Sequence, residues 1–206
     1  MESDASRVVA VVLAGGNSRR FGSDKLAEVV GGQTLLDLTL SAVPMEFDLV
    51  LVGPSRMTVR PVEFVREQPA GGGPAAALVT GLRHALAKSA AAIVVLPGDA
   101  PRAGDGATVL LERLNADPAT QAVVAVDDQR QIQPLQLALS ARAAETLVEL
   151  AGPEQAAGAS ARELISRLQP PATRCRLPAK QLFDVDTVEA LRRLAARPPR
   201  FASHDG

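Results

Sequence analysis

The residues best suited to chemistry follow the first apolar run of the chain, in the segment VVLAGGNSRRFGSDK that ends at Lys25. Glycine lets the backbone approach a phosphate closely and turn its amides toward it, so Gly15 and Gly16 favour a phosphate-binding loop. Arg19, Arg20 and Lys25 supply the positive charge that a polyphosphate requires. The segment predicts a nucleotide-binding loop, and a glycine turn followed by solvated arginines is the structural alternative.

Two common phosphate motifs do not match this segment. A P-loop places its lysine directly after a glycine, whereas Lys25 follows Ser23 and Asp24. A dinucleotide fingerprint has the spacing G-x-G-x-x-G and opens a helix at once, whereas the glycines here are Gly15, Gly16 and Gly22. The sequence therefore favours neither a P-loop ATPase nor a dehydrogenase.

A second candidate is Asp99, in the segment IVVLPGDAPR, which again follows an apolar run. A carboxylate is a hard oxygen ligand, and Mg²⁺ binds such ligands together with substrate phosphates. The structural alternative for Asp99 is a turn residue before Pro101. Together with the glycine-rich loop, Asp99 predicts magnesium-dependent attack on a nucleotide phosphate.

Short apolar or β-branched runs, bounded by Gly, Pro or polar residues, predict buried strands. These runs are residues 7–13, 47–52, 62–66, 91–96 and 122–126, with further candidates at 133–139 and 182–185. Segments with helical spacing lie between them, so we expect an α/β fold with a mainly parallel sheet and helices on both faces. In such sheets ligands bind at the carboxyl ends of the strands, where both candidate segments lie.

Helix boundaries are also readable. Three consecutive glycines at 71–73 precede Pro74, which suits the first position of a helix because it has no amide to leave unpaired. The segments 141–150 and 161–168 have helical character, and Thr187 is a suitable N-cap for the last helix.

Composition limits the remaining possibilities. The chain has 206 residues, of which 47% are hydrophobic, and we expect one domain over residues 1–196 with a flexible tail at 197–206. A net charge of −1 and the scarcity of aromatic residues give no reason to expect nucleic acid or membrane partners. A single cysteine, a polar start and no long apolar run predict a cytoplasmic protein.

Four segments together resemble the molybdenum cofactor guanylyltransferases. They are LAGGNSRRFGSDK, GGP at 72–74, PGDAP at 97–101 and DVDT at 184–187. The resemblance implies a Rossmann-like nucleotidyltransferase fold. It also implies the reaction of GTP with molybdopterin cofactor and Mg²⁺, which releases pyrophosphate, and transient contact with molybdoenzymes.

The resemblance also implies roles for individual residues. Lys25, Asp99 and Arg19 are expected to be catalytic, and Asp99 and Asp186 to bind the metal. The residues expected against the nucleotide are Leu13, Ala14, Gly15, Gly16, Arg20, Lys25, Glu67, Gly73 and Asp99. No enzyme nucleophile is needed, because the attacking group is the phosphate of the cofactor itself.

One departure leaves alternatives open. Asp184 and Asp186 stand where guanylyltransferases often carry asparagines, and DVDT is closer to the related cytidylyltransferases. Asp186 either adds a second carboxylate to the metal or is a helix N-terminal carboxylate that the helix dipole favours. The alternative functions are therefore a cytidylyltransferase or other small-molecule nucleotidyltransferase, and a non-catalytic nucleotide-binding protein that delivers the cofactor.

Overall fold

The computed structural model describes residues 7–15, 24–68, 70–152 and 158–196. Its strands are β1 (Val8–Leu13), β2 (Val29–Val30), β3 (Gln33–Thr34), β4 (Asp48–Val52), β5 (Glu63–Val65), β6 (Ala92–Pro97), β7 (Ala122–Val126), β8 (Ile132–Ser140) and β9 (Thr173–Arg176). Its α-helices are α1 (Leu35–Ala42), α2 (Pro74–Ala87), α3 (Ala103–Asn115), α4 (Ala141–Ala151), α5 (Ala161–Ser166), α6 (Ala179–Leu182) and α7 (Val188–Ala196). A 3₁₀ turn spans Lys25–Ala27.

Seven of these strands form one sheet in the order β5-β4-β1-β6-β8-β7-β9. The strands β5, β4, β1 and β6 are mutually parallel, and β7 and β9 are parallel to each other. Strand β8 runs antiparallel to both of its neighbours. The predicted α/β class with a mainly parallel sheet is therefore confirmed, and β8 is the one reversed strand of this sheet.

Helices cover both faces because the central strands are apolar on both sides. In β1, Val9 and Val11 join a core cluster with residues of α2, α4 and α5, whereas Ala10 and Val12 join a second cluster with residues of α1 and α3. The period of two along the strand divides the core into these two layers. No helix among the described residues is both long enough and apolar enough to cross a membrane.

Two boundaries differ from the sequence-based expectation. Residues 182–185 were expected to form a strand, and this prediction is wrong, since Leu182 ends α6 and the following residues are irregular. The apolar side chain of Val185 is buried beside β6 although the segment is not a strand. The Val185 amide donates to the Asp99 carbonyl. The last strand is instead β9, whose sequence TRCR alternates half-buried and exposed residues at the sheet edge and offers no apolar run to detect.

The close approach of α2 to the sheet depends on Gly81. A Cβ at this position would lie 2.3 Å from Cγ1 of Val11 and 3.0 Å from Cγ2 of Val52. Both neighbours are fully buried strand residues, so neither has space to move aside.

Gly81→Ala is therefore expected to destabilise the protein by about 1–3 kcal/mol through overpacking. At an unhindered helix position the same change stabilises by up to about 1 kcal/mol, so the sign of the effect is diagnostic. Urea denaturation of the variant and the native protein measures it, and a more stable variant would contradict the close contact.

Candidate functional site

A cleft of about 640 Å³ lies at the carboxyl ends of the parallel strands. Five residues predicted for the site line it: Leu13 and Gly15 after β1, Glu67 after β5, Gly73 before α2 and Asp99 after β6. The parallel arrangement of β1, β5 and β6 brings these residues to one edge although up to 86 positions separate them in sequence (99 − 13). The cleft is large enough for a small-molecule ligand.

Lys25 links two acidic loops at this edge. Its ammonium donates to the Asp99 carboxylate and to Oδ1 of Asp186, the second over 2.9 Å. Asp24 fixes the turn that carries Lys25, because its Oδ1 accepts from the Leu26 amide at 3.2 Å and its Oδ2 from Arg56 at 2.8 Å. Three separate segments of the chain therefore meet at a single cation.

The charges around Lys25 keep it protonated. Partial burial by itself lowers the pKa of the ammonium, but the hydrogen bond and charge of Asp99, followed by those of Asp186, outweigh it. The pKa of Lys25 is therefore raised above its ordinary value. At neutral pH this group is a permanent positive charge, suited to binding a phosphate and unsuited to acting as a base.

The Asp99 loop is held by backbone hydrogen bonds to its neighbours. The Gly98 amide donates to the Leu13 carbonyl at 2.9 Å, and the Val185 amide donates to the Asp99 carbonyl at 3.0 Å. A Cβ on Gly98 would lie 2.9 Å from the Leu13 oxygen, so the approach to β1 requires glycine. These bonds fix Asp99 between the end of β1 and the segment that carries Asp186.

The pKa of the Asp184 carboxyl is raised, first by desolvation and then by the negative charges of Asp186 and Asp99. Three carboxylates therefore lie close together at this edge, and their combined negative charge attracts a cation. No group of three or more His, Cys, Asp or Glu side chains in the described part of the chain is arranged to hold a metal ion by itself. Asp99 and Asp186 are nevertheless a pair of hard oxygen donors, which fits Mg²⁺ because this ion takes one or two carboxylates and completes its shell with water and phosphates.

Glu67 organises the opposite wall of the cleft. Its Oε1 accepts from the Gly71 amide at 3.2 Å, and its carboxylate lies beside Gly15, where an added Cβ would be 3.5 Å from Oε2. Gly71 and Gly73 have φ of +73° and +87°, values that glycine adopts without strain, and Pro74 then begins α2 as predicted. One carboxylate thus connects the glycine-rich turn to the loop after β1.

Comparison with known proteins agrees with this geometry. A family model for the MobA-like NTP transferase domain matches residues 10–172. The chain belongs to the MobA-like NTP transferase family. The resemblance seen in the four sequence segments is therefore confirmed.

Individual relatives of this chain support the same conclusion. It is 36% identical over 107 residues to a molybdenum cofactor guanylyltransferase of Sinorhizobium fredii, covering 48% of this chain and 49% of that protein. It is 30% identical over 154 residues to a probable molybdenum cofactor guanylyltransferase of Bacillus cereus, covering 70% and 74%. The chain thus spans about half the length of the first of these relatives.

The fold is shared with molybdopterin-guanine dinucleotide biosynthesis protein A from Archaeoglobus fulgidus. The TM-score is 0.69 at 20% sequence identity, and the match covers 91% of this chain and 96% of that chain. The expected Rossmann-like nucleotidyltransferase fold is confirmed by this likeness.

Not every predicted site residue that the structure describes lines the cleft. Ala14 is buried, and its amide already donates to the Val52 carbonyl at 2.9 Å, so it offers no free amide to a phosphate. Gly16, Arg19 and Arg20 lie outside the described residues, and their roles remain predictions.

Sequence reasoning missed Arg66, which lines the cleft beside Glu67. Its position immediately after β5 was the available signal, since the residues that follow parallel strands meet at the ligand-binding edge. Leu135 of β8 also lines the cleft.

The turn that carries Lys25 is testable through Asp24. Asp24→Ala removes both the cap and the ion pair with Arg56, and we expect a loss of about 1 kcal/mol of unfolding free energy. Asp24→Asn keeps a capping oxygen and loses only the charge of the pair with Arg56, so its cost should be smaller than that of Asp24→Ala. Thermal and urea denaturation measure both variants, and equal losses would show that the cap does not hold this turn.

Proposed function

We propose that this protein transfers GMP from GTP to molybdopterin cofactor and releases pyrophosphate. The observation that carries the proposal is the bridge from Lys25 to Asp99 and Asp186 at the edge of a nucleotide-sized cleft. Membership of the MobA-like NTP transferase family and the names of the curated relatives support the choice of reaction.

The proposed chemistry requires positioning and charge neutralisation. A phosphate oxygen of the cofactor forms a bond to the α-phosphorus of GTP, and the bond from the α-phosphorus to the bridging oxygen breaks. Pyrophosphate leaves with the electron pair of that bond. Negative charge grows on the departing oxygen, and the ammonium of Lys25 is the protonated group that would stabilise it.

Mg²⁺ is the cofactor that the carboxylates fit, with Asp99 and Asp186 as its protein ligands. When bound there, the ion would polarise phosphoryl oxygens and neutralise their charge. Asp184 lies beside these two carboxylates, and its pKa is raised first by desolvation and then by the negative charges of Asp186 and Asp99. The contribution of this chain is to hold the two carboxylates at one place through Lys25 and the backbone bond from Val185 to Asp99.

The nucleoside would lie toward Glu67 and Arg66. Strands β5 and β6 are separated by β4 and β1, so the chain enters the Arg66–Glu67 segment three strand positions away from the Asp99 loop. Guanine presents N–H donors that a carboxylate accepts and O6 and N7 acceptors that an arginine recognises. Gly16, Arg19 and Arg20 are proposed to contact the phosphates between these two ends.

A cytidylyltransferase is the second candidate, favoured by the aspartates at 184 and 186. The contact of Asp186 with Lys25 supports a different interpretation of these residues, in which Asp186 acts beside the phosphates and not beside the base. Aspartate in place of asparagine there would alter the metal site and would not affect which nucleotide base is bound. A direct comparison of GTP with CTP tests this, with faster pyrophosphate release from GTP expected and faster release from CTP contradicting the guanylyl assignment.

Asp99→Asn tests the reaction itself. The loss of a metal-binding carboxylate should lower kcat by about 100-fold or more, since metal stabilisation of the transition state amounts to several kcal/mol. GTP binding measured by calorimetry should persist, because Leu13, Glu67 and Gly73 are unchanged. The assay follows pyrophosphate release from GTP with Mg²⁺ and molybdopterin cofactor.

Asp48→Asn is the matched control for Asp99→Asn. Asp48 is the first residue of β4, at the end of the strand opposite to the cleft, and forms an exposed ion pair with Arg7. Its variant should keep the native rate. If Asp99→Asn turns over as fast as this control, Asp99 is not part of the reaction.

A further inference from the structure

Only two polar side chains are fully buried among the described residues, and each bonds to a backbone carbonyl that precedes one of the two acidic segments. They are Thr39 of α1, which is 0% exposed, and Gln136 of β8, which is 2% exposed. We propose that Thr39 and Gln136 are positioning residues that set the relative placement of the Asp99 loop and the 184–186 segment. The kinetic part of this inference rests on the proposed function, whereas its structural part does not.

Thr39 acts on the Asp99 loop. Its hydroxyl lies 3.0 Å from the Gly98 carbonyl and 3.2 Å from the Leu35 carbonyl. A hydroxyl has one proton, so the two carbonyls compete for it, and the shorter contact is to the residue directly before Asp99. The Gly98 amide is already bonded to β1, so the hydroxyl of Thr39 satisfies the carbonyl of the same residue.

Gln136 acts on the other acidic segment. Its Nε2 donates to the Gln181 carbonyl over 2.9 Å, near the end of α6 and three positions before Asp184. The space for this contact exists because α3 has glycine at 106, where a Cβ would lie 3.2 Å from the Gln136 nitrogen. The pairing of β8 with β7 shifts in register between Gln133 and Leu137. Gln136 therefore lies in the irregular part of β8.

The two contacts converge on one backbone hydrogen bond. Thr39 holds the peptide before Asp99, Gln136 holds the helix before Asp184, and the Val185 amide joins the two segments at the Asp99 carbonyl. Lys25 then bonds to one carboxylate from each segment. The placement of the carboxylates is thus anchored in the core on both sides.

Burial of a polar side chain in an apolar core is costly unless its hydrogen bonds are made. An alanine or valine at position 39 and a leucine or methionine at 136 would suit these core positions at least as well for packing alone. The contribution of the polar groups is geometric, because each specifies where a loop carbonyl must lie.

The test uses Thr39→Val, which keeps the side-chain shape without the hydroxyl, and Gln136→Met, which keeps the length without the amide. Thr39→Ser restores the hydroxyl. Thr146→Val and Gln121→Met are the matched controls. Thr146 bonds within its own helix, and Gln121, at the opposite edge of the sheet, donates to the Pro118 carbonyl and accepts from Oγ of Ser140.

Two quantities are measured in each variant. The first is hydrogen exchange of the Val185 amide by NMR, relative to the amides of β1. The second is kcat for pyrophosphate release, with KM for GTP. For Thr39→Val and Gln136→Met we expect selectively faster exchange at Val185 and a fall in kcat of about 10- to 100-fold at a nearly constant KM, because small displacements of catalytic groups reduce rates this much.

Thr39→Ser and both controls should retain native exchange and native kcat. A lower melting temperature with unchanged Val185 exchange would show that the two side chains serve stability alone, and it would overturn the proposal. If Thr39→Val does not fold, Thr39→Ala and Gln136→Met decide the outcome by the same measurements. Absence of GTP turnover in the native protein would refute the proposed function and leave the exchange measurement as an independent test of positioning.

Discussion

The site depends on one cation placed between two carboxylates. Asp99 and Asp186 come from segments that share no regular element, and the like charges of two carboxylates oppose their close approach. The ammonium of Lys25 offsets that repulsion. The negative charges of the two carboxylates in turn keep the ammonium protonated. Because each charge stabilises the others, the three segments form a defined edge at the end of the sheet.

The sheet topology explains how Asp186 reaches this edge. After β6 the chain builds β7, reverses through β8 and returns along β9, which is parallel to β7. Helix α6 then carries the chain back toward the end of β6, where Val185 is buried and bonds to Asp99. The reversed strand β8 also supplies Leu135 to the cleft and Gln136 to the core contact with α6. The strands β7, β8 and β9 therefore help to position the site, whose cleft lies mainly at the ends of β1, β5 and β6.

The parts of this arrangement that follow from local chemistry could be predicted from the sequence. The apolar run before Gly15, the glycines before Pro74 and the aspartate after β6 each indicate a strand end or helix start by their own residue types. Strand β9 and the irregular segment around Val185 could not be predicted, because an edge strand lacks an apolar run and one buried valine resembles a strand residue. Thr39 carries no local signal either, since its partner Gly98 is 59 positions away.

The choice of lysine at position 25 has a geometric reason. An ammonium has three donors in a tetrahedral arrangement, and two of them are directed to Asp99 and Asp186. One donor remains for a phosphate oxygen, so the same group is able to hold both acidic segments and contact a nucleotide. A guanidinium is planar, with its donors in a fixed fork, and would favour bidentate pairing with one carboxylate over bridging two. The bridge thus favours a compact cation, and under the proposed function the same ammonium that joins the two acidic segments would also contact the substrate.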